Sequence, residues 1–428
     1  MKTVYRNLHY LDPSDGTESR IDLVFDDQQI LALHPAAKTR TYDDSHHVVN
    51  QQGKNLSPGF LDLCAFTGEP GFEVDEDLAT FSRAAAAGGF TTVAPRPDTD
   101  PPCDRRSAVE ALRQRIAGLG LIDVAPIGCA SVGNAGKDLA EIGDLKLGGA
   151  CAVGSGDVPL SDGTLMRRVL EYAACFDLPV FALPQHANLT GKARINEGEM
   201  STRLGLAGAP ALAEEVAVFR DLRLAELTGA RLHLQKLSTA RAVQLVREAK
   251  EHGVKVTADV AVHHLLLTEK ELAGYDPNLY VVPPLRTNDD RLALIEGLKD
   301  GTLDAIVTDH NPVNRRYKDV EFGLARPGMI GLETALPLLL RLVKRGVLPL
   351  KTAIQALTTG PAKVLGLDAG TLREGGPATF VLWDEAASWR CTKDCLVSKS
   401  RNTPFLNWEL QGKIVEVRKA GKVVCGAT

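Results

Sequence analysis

The sequence predicts an α/β fold, a (β/α)8 barrel of the TIM type with a small β-domain built from both chain termini. Two observations predict it. From Leu56 to about Leu367 short apolar runs alternate with helical patterns, which is the signature of repeated β-α units. Outside that span the pattern changes to the two-residue alternation of half-buried strands.

Eight apolar runs read as barrel strands: 60–66 (FLDLCAF), 91–95 (TTVAP), 122–130 (IDVAPIGCA), 149–153 (GACAV), 179–183 (PVFAL), 231–237 (RLHLQKL), 254–260 (VKVTADV) and 303–308 (LDAIVT). Helical patterns over 76–87, 105–117, 162–175, 210–227, 239–252 and 289–298 fill the spaces between them. Pro210 fits a first-turn position, and Gly88, Gly229 and Gly253 stand where helices should stop. Eight such repeats favour a closed barrel over an open doubly wound sheet. In the flanks, 20–33 (RIDLVFDDQQILAL), 379–384 (TFVLWD) and 413–424 (KIVEVRKAGKVV) read as antiparallel strands. The expected division is therefore 1–57 and 370–428 as the two parts of the β-domain, with 58–369 as the barrel.

The 428 residues are long enough for both units, with 44% hydrophobic and 24% charged residues. A formal net charge of −5 and a pI near 6.1 suggest neither a nucleic-acid nor an anionic-membrane partner. The opening MKTVYRNLHYLDPSDG has polar residues and a proline where a signal peptide needs apolar ones, and no 18-residue window is apolar and free of charge. Eight cysteines scattered along a long chain fit reduced thiols, so a cytoplasmic location is expected. Cys391 and Cys395 are the only close pair, and with no second Cys/His pair nearby they do not make a zinc knuckle.

A barrel of this class carries its chemistry at the C-terminal ends of the strands. The segments PGFLDLCAFTGEPG (58–71), RAAAAGGFTTV (83–93), LMRR (165–168), ELTGARLH (226–233), HHLLLT (263–268), PPLR (283–286), TDH (308–310), GLETALP (331–337) and SKSRN (398–402), with Pro404-Phe405, occur in that order over essentially the whole chain. Together they resemble the dihydroorotase family of the amidohydrolase superfamily.

The resemblance implies a catalytic divalent metal, usually zinc, held by a His-x-His pair ending the first strand, and here those positions are Cys64 and Phe66. A thiolate can bind zinc, but a phenyl ring cannot. The family's substrate-carboxylate arginine aligns with Gly68 and the asparagine that assists it with Asp98. Trading a guanidinium for nothing and an amide for a carboxylate should repel an anionic ligand. The metal-binding histidines of the fifth and sixth strands align with Leu183 and Lys236; only Asp309, metal ligand and general base in the family, keeps its identity. The later substrate-binding His and Asn align with Val313 and Val282, and 150–156 offers no lysine to carboxylate and no carboxylate.

His263, His264 and His310 read as structural, and His186 as a lone surface histidine. Cys64 as a nucleophile lacks a neighbouring base, and Lys236 reads as the partner of Asp309 rather than as a Schiff-base lysine. The expectation is then of no catalytic residues, no bound metal and no cofactor: a chain that is not an enzyme. What the resemblance implies instead is a noncatalytic structural subunit for the aspartate carbamoyltransferase catalytic chain in pyrimidine (UMP) biosynthesis, in a large hetero-oligomer. The interface residues are not read from the sequence. The alternatives are a small-ligand sensor or a metal-independent hydrolase using the old barrel mouth.

Overall fold

A computed structural model of the chain describes residues 2–37 and 41–426. Parallel strands Phe60–Ala65, Phe90–Pro95, Asp123–Val124 with Ile127–Cys129, Ala152–Gly154, Val180–Ala182, Leu232–Leu234, Val256–Ala261 and Ala305–Val307 form the barrel, one for each predicted run. The third is broken at Ala125-Pro126, because proline has no N–H to give the ladder. Its first part pairs with the second strand and its second part with the fourth.

Between the eighth and first strands the ring is closed largely by a side chain. Asp62 accepts from the Thr308 amide at 3.0 Å, the Thr308 hydroxyl at 2.5 Å and the Cys64 amide at 3.3 Å. The Phe66 amide then donates to the His310 carbonyl at 2.7 Å. Burial pushes the Asp62 carboxyl up to about 7 despite those donors. Leu61, Leu63 and Phe181 fill the interior beside Ala94, Ala152, Ala261 and Ala305, large against small, as a closed eight-strand ring requires.

Outside the ring, helices start at side-chain caps that the sequence supplies. Asp77 caps Leu78–Ala87, Asp162 caps Gly163–Ala174, Thr239 caps Ala240–Glu251 and Thr287 caps Asn288–Lys299. Pro210 departs from expectation. The helix there is Leu212–Thr228 with Ala211 at its N-cap, so the proline lies just ahead of the first turn. Beyond the eighth strand, Ala335–Lys344, Leu350–Leu357 and Thr359–Leu365 complete the outer layer.

The flanking sheet runs in the order Lys422–Gly426, Glu409–Lys419, Phe380–Arg390, Asn55–Pro58, Lys2–Leu11, Glu18–Phe25, Ile30–Pro35. Both chain ends contribute, and they meet where Leu56 pairs with Leu382. Tyr5, Phe25 and Phe380 pack edge to face at its centre. The sheet is mixed rather than wholly antiparallel, since Lys2–Leu11 runs parallel to both His46–Asn50 and Asn55–Pro58. Among the described residues no helix is long and apolar enough to cross a membrane.

Candidate functional site

Five charged side chains from four strand ends meet in the barrel mouth. Lys236 follows the sixth strand, and its side chain is 1% exposed. Its Nζ donates to Asp309 Oδ1 at 2.9 Å and to Asp157 Oδ1 at 2.5 Å. Asp157 Oδ2 in turn accepts from Arg96 Nη1 at 2.5 Å, while Arg96 Nε and Nη2 donate to the two oxygens of Asp98 at 3.0 and 2.8 Å. The charges alternate along this chain, so each buried ion has an opposite neighbour.

The expected pairing of Lys236 with Asp309 is present, and the structure adds two partners that the sequence reading did not name. Residues 150–156 carry no carboxylate, yet Asp157 directly after them swings one into the mouth. Gly156, at φ +61°, makes room: a Cβ there would stand 2.2 Å from Asp98 Oδ1. Asp98 is also not left without a cation. Arg96, the first residue past the second strand, lies across the Phe66 ring at 4.9 Å and takes both Asp98 oxygens.

The backbone at the two central positions is unusual. Lys236 has φ +53° and Asp309 φ +45°, a left-handed conformation that costs a non-glycine residue roughly 1–3 kcal/mol. Lys236 is held there by its amide, which donates to Asp259 Oδ1 at 2.6 Å. Asp259 is fixed in turn by His233, which reaches Asp259 Oδ2 at 2.9 Å and Thr257 Oγ1 at 2.8 Å.

The other predicted positions close the mouth around these charges. Cys64 Sγ lies 3.8 Å from Asp309 Oδ1, and burial holds its thiol well above the ordinary range. Phe66 and Leu183 are buried apolar groups. Gly68, at φ +71°, sits in a turn where a Cβ would fall 2.4 Å from the Glu76 carbonyl oxygen. His263 is buried with Nε2 3.9 Å from Asp309 Oδ2, and desolvation keeps it neutral, as it does His264 at about 3. His310 points to the opposite side, 3.8 Å from Glu76. His186 is half-buried rather than at the surface, at the start of the short helix Ala187–Thr190.

Burial works against the Lys236 charge, but Asp157 and Asp309 outweigh it and hold the ammonium protonated far above its usual value. The two carboxylates respond differently. For Asp157, burial is overcome by Arg96 and Lys236, and its carboxyl falls below the ordinary range. For Asp309, burial prevails over Lys236, Asp157 adds to it, and the carboxyl rises to about 6.

These residues do not fit the family's zinc. A catalytic site needs three protein ligands and an open position. Here the positions hold a protonated thiol, a phenyl ring, an isobutyl group and an ammonium, and a second cation beside Lys236 Nζ would be repelled. Among the described residues no group of three or more His, Cys, Asp or Glu side chains is arranged to hold a metal ion. Elemental analysis after gel filtration should find well below one divalent metal per chain; one zinc per chain surviving mild chelation would contradict this donor-set argument.

Lys236→Met should destabilise the fold by ~3–5 kcal/mol, the cost of unpairing a buried ion, and the double variant with Asp309→Asn should recover part of the loss. Urea unfolding of the four proteins measures the coupling, and additive effects would rule the pair out as a stabilising contact. The pH dependence has a definite sign. The folded state holds the Asp309 proton more tightly than the unfolded chain, whose value is 3.8 against about 6 when folded. That contribution is complete below the unfolded value and is lost as pH rises through the folded one. Measured against Asp309→Asn, wild-type stability should therefore decline between about pH 4 and 6 and level off above.

Comparison with known proteins agrees with the architecture. The family described as Dihydro-orotase-like matches residues 53–242, and the Amidohydrolase family matches residues 211–424. Proteins named dihydroorotase from Syntrophotalea carbinolica and Anaeromyxobacter dehalogenans strain 2CP-C are each 43% identical, covering 97% of this chain and 97% and 95% of their own. One from Geobacter sp. strain M21 is 40% identical over 99% of both chains. Among solved structures, L-hydantoinase (dihydropyrimidinase) from Arthrobacter aurescens superposes with a TM-score of 0.87 at 22% identity over 99% of this chain and 96% of that one. Dihydropyrimidinase from Brevibacillus agri NCHU1002 does so at 0.85 and 21% over 100% and 95%. The expectation that the chain is not an enzyme is corrected by these relatives, which carry the name of an enzyme at 40–43% identity along nearly their whole length. The ordering of strands, the flanking sheet and the full-length similarity lead to one assignment: the chain belongs to the dihydroorotase family of amidohydrolases.

Proposed function

We propose that the chain serves pyrimidine (UMP) biosynthesis in a large hetero-oligomer with the aspartate carbamoyltransferase catalytic chain, and that it supports this partner through its folded exterior. The relatives' name, dihydroorotase, belongs to the step after the transferase in that synthesis, which supports a shared assembly. The observation that carries the reading is Lys236, whose ammonium fills the centre of the mouth and is bound to Asp157 and Asp309. A barrel whose mouth is occupied by its own ion pairs, while its scaffold remains intact, has its exterior available as the working surface.

The physical demand on the contact is modest. A stable interface buries roughly 1,200–2,000 Å² in total, and point-group symmetry multiplies such contacts.

The two proteins should elute together as a large hetero-oligomer, and the transferase prepared alone should be inactive, misassembled or unstable. Cys64→Ser, inside the mouth, should leave transferase activity in the assembly nearly unchanged. Separate elution at micromolar concentration, together with full transferase activity in the absence of this chain, overturns the proposal.

A further inference from the structure

Cys391 and Cys395 are the one close pair of cysteines in the sequence, and the barrel mouth makes no use of them. Two thiols fall short of a structural zinc site, and among the described residues no larger group of metal-binding side chains includes them. Both are free thiols, Cys391 buried and Cys395 exposed.

The chain between them doubles back. Thr392 is extended, Lys393–Cys395 makes one tight helical turn, and the Cys395 amide donates to the Thr392 carbonyl at 3.3 Å. This returns the Cys395 side chain to the start of the turn. Its sulfur accepts from the Thr392 amide at 3.2 Å, and its S–H lies between the Thr392 and Arg390 carbonyls at 3.0 and 3.6 Å. The Arg390 carbonyl and the Thr392 amide flank the Cys391 α-carbon, so the exposed sulfur hangs over the residue that carries the other one. The two thiols lie within hydrogen-bonding reach of each other, and burial, then this neighbour, push the Cys391 thiol up to about 12. Cys391 is fixed in place: its amide donates to the Trp408 carbonyl at 3.0 Å, and its carbonyl accepts from the Asn407 amide at 2.6 Å.

We infer that Cys391 and Cys395 form a site of reversible oxidation, at which hydrogen peroxide converts the two thiols into a disulfide. Exposure sets the order of events. The Cys395 sulfur takes one peroxide oxygen as the O–O bond breaks, which gives a sulfenic acid and one water. The Cys391 sulfur then attacks the Cys395 sulfur. The S–S bond forms, the S–O bond breaks, and the hydroxyl leaves with the Cys391 proton as a second water. Two thiols and one peroxide thus give one disulfide and two waters, and a thiol reductant reverses the change. Cys391, buried and held protonated, does not start the reaction but stands beside the sulfur that does.

Other cysteines lack one half of this arrangement. Cys175 is exposed, but its sulfur turns to the Glu171 carbonyl of its own helix at 3.5 Å. Cys103 and Cys129 are neighbours, the Cys129 amide donating to the Cys103 carbonyl at 2.8 Å, but both are buried. What the new bond holds is the start of the segment that carries the sheet to the barrel. Just past Cys395, the Val397 and Ser398 amides donate to Glu333 at 2.5 and 3.1 Å, and the Lys399 amide donates to Glu76 at 3.1 Å. Arg401 Nε reaches back to the Lys393 carbonyl at 3.0 Å, inside the loop that the disulfide closes.

Trypsin gives a direct readout, because Lys393 lies between the two cysteines while Arg390 and Lys399 bound them. The purified full chain is treated briefly with hydrogen peroxide, its free thiols are alkylated in denaturant, and it is digested. Mass spectrometry should find peptides 391–393 and 394–399 joined, in chains that run as monomers on a non-reducing denaturing gel. Two of the eight thiols should be lost to alkylation, and dithiothreitol should return both. In Cys391→Ala, with no second sulfur to complete the reaction, dimedone should trap the sulfenic acid on Cys395, and in wild type it should not. A wild type that keeps all eight thiols overturns the inference. So does a wild type in which Cys395 carries dimedone while the two peptides stay separate, and so does a disulfide that joins Cys103 to Cys129 instead.

Discussion

A carboxylate at the end of the eighth strand, taken out of water, must have a cation beside it, and the arrangement of the mouth follows from how that need is met. Leaving Asp309 ionised and alone would cost several kcal/mol on the scale of ion burial. Lys236 answers it with a flexible ammonium that reaches two acceptors at once. The second acceptor, Asp157, needs compensation of its own and finds it in Arg96, whose remaining donors are taken by Asp98. The network therefore extends across the mouth from one side of the ring to the other, and no member can be altered without exposing the charge of its neighbour.

The fold was legible because its signals are local and repeated. The run 60–66 and its seven counterparts all became strands, and Asp77, Asp162 and Thr239 stand where a helix start requires an acceptor. What escaped the sequence depends on long-range pairing. The parallel partners of Lys2–Leu11 lie some forty residues away, and nothing in an alternating strand tells which direction its neighbour will run. Pro210 carried a valid preference for a first turn that the chain did not use.

The site was half legible for a similar reason. Positions aligned to a known pattern, such as Cys64, Phe66, Leu183 and Lys236, could be found because the pattern names them. Arg96 and Asp157 belong to no such pattern. Their signal was only that each is a charged residue immediately past a barrel strand or its loop, where side chains of different strands converge. Asp259 lies within a strand and gave no signal, and His233 stood out only as the end of the segment 226–233 and not as a support of the Lys236 backbone, since alternation says which face a residue takes but not whom it meets there.

The turn at Gly68 has a consequence for anyone wishing to rebuild the pocket. Its backbone has a positive φ, and the Glu76 carbonyl stands in the volume that a β-carbon would need. Reinstalling an arginine there is therefore not one substitution but a rerouting of the segment from Thr67 to Asp77, which also supplies the cap of the first barrel helix. Such a position works in one direction: the neighbouring chain packs closely against the small residue and excludes a larger one. Design aimed at this barrel mouth would do better to replace the whole loop than to restore side chains within it.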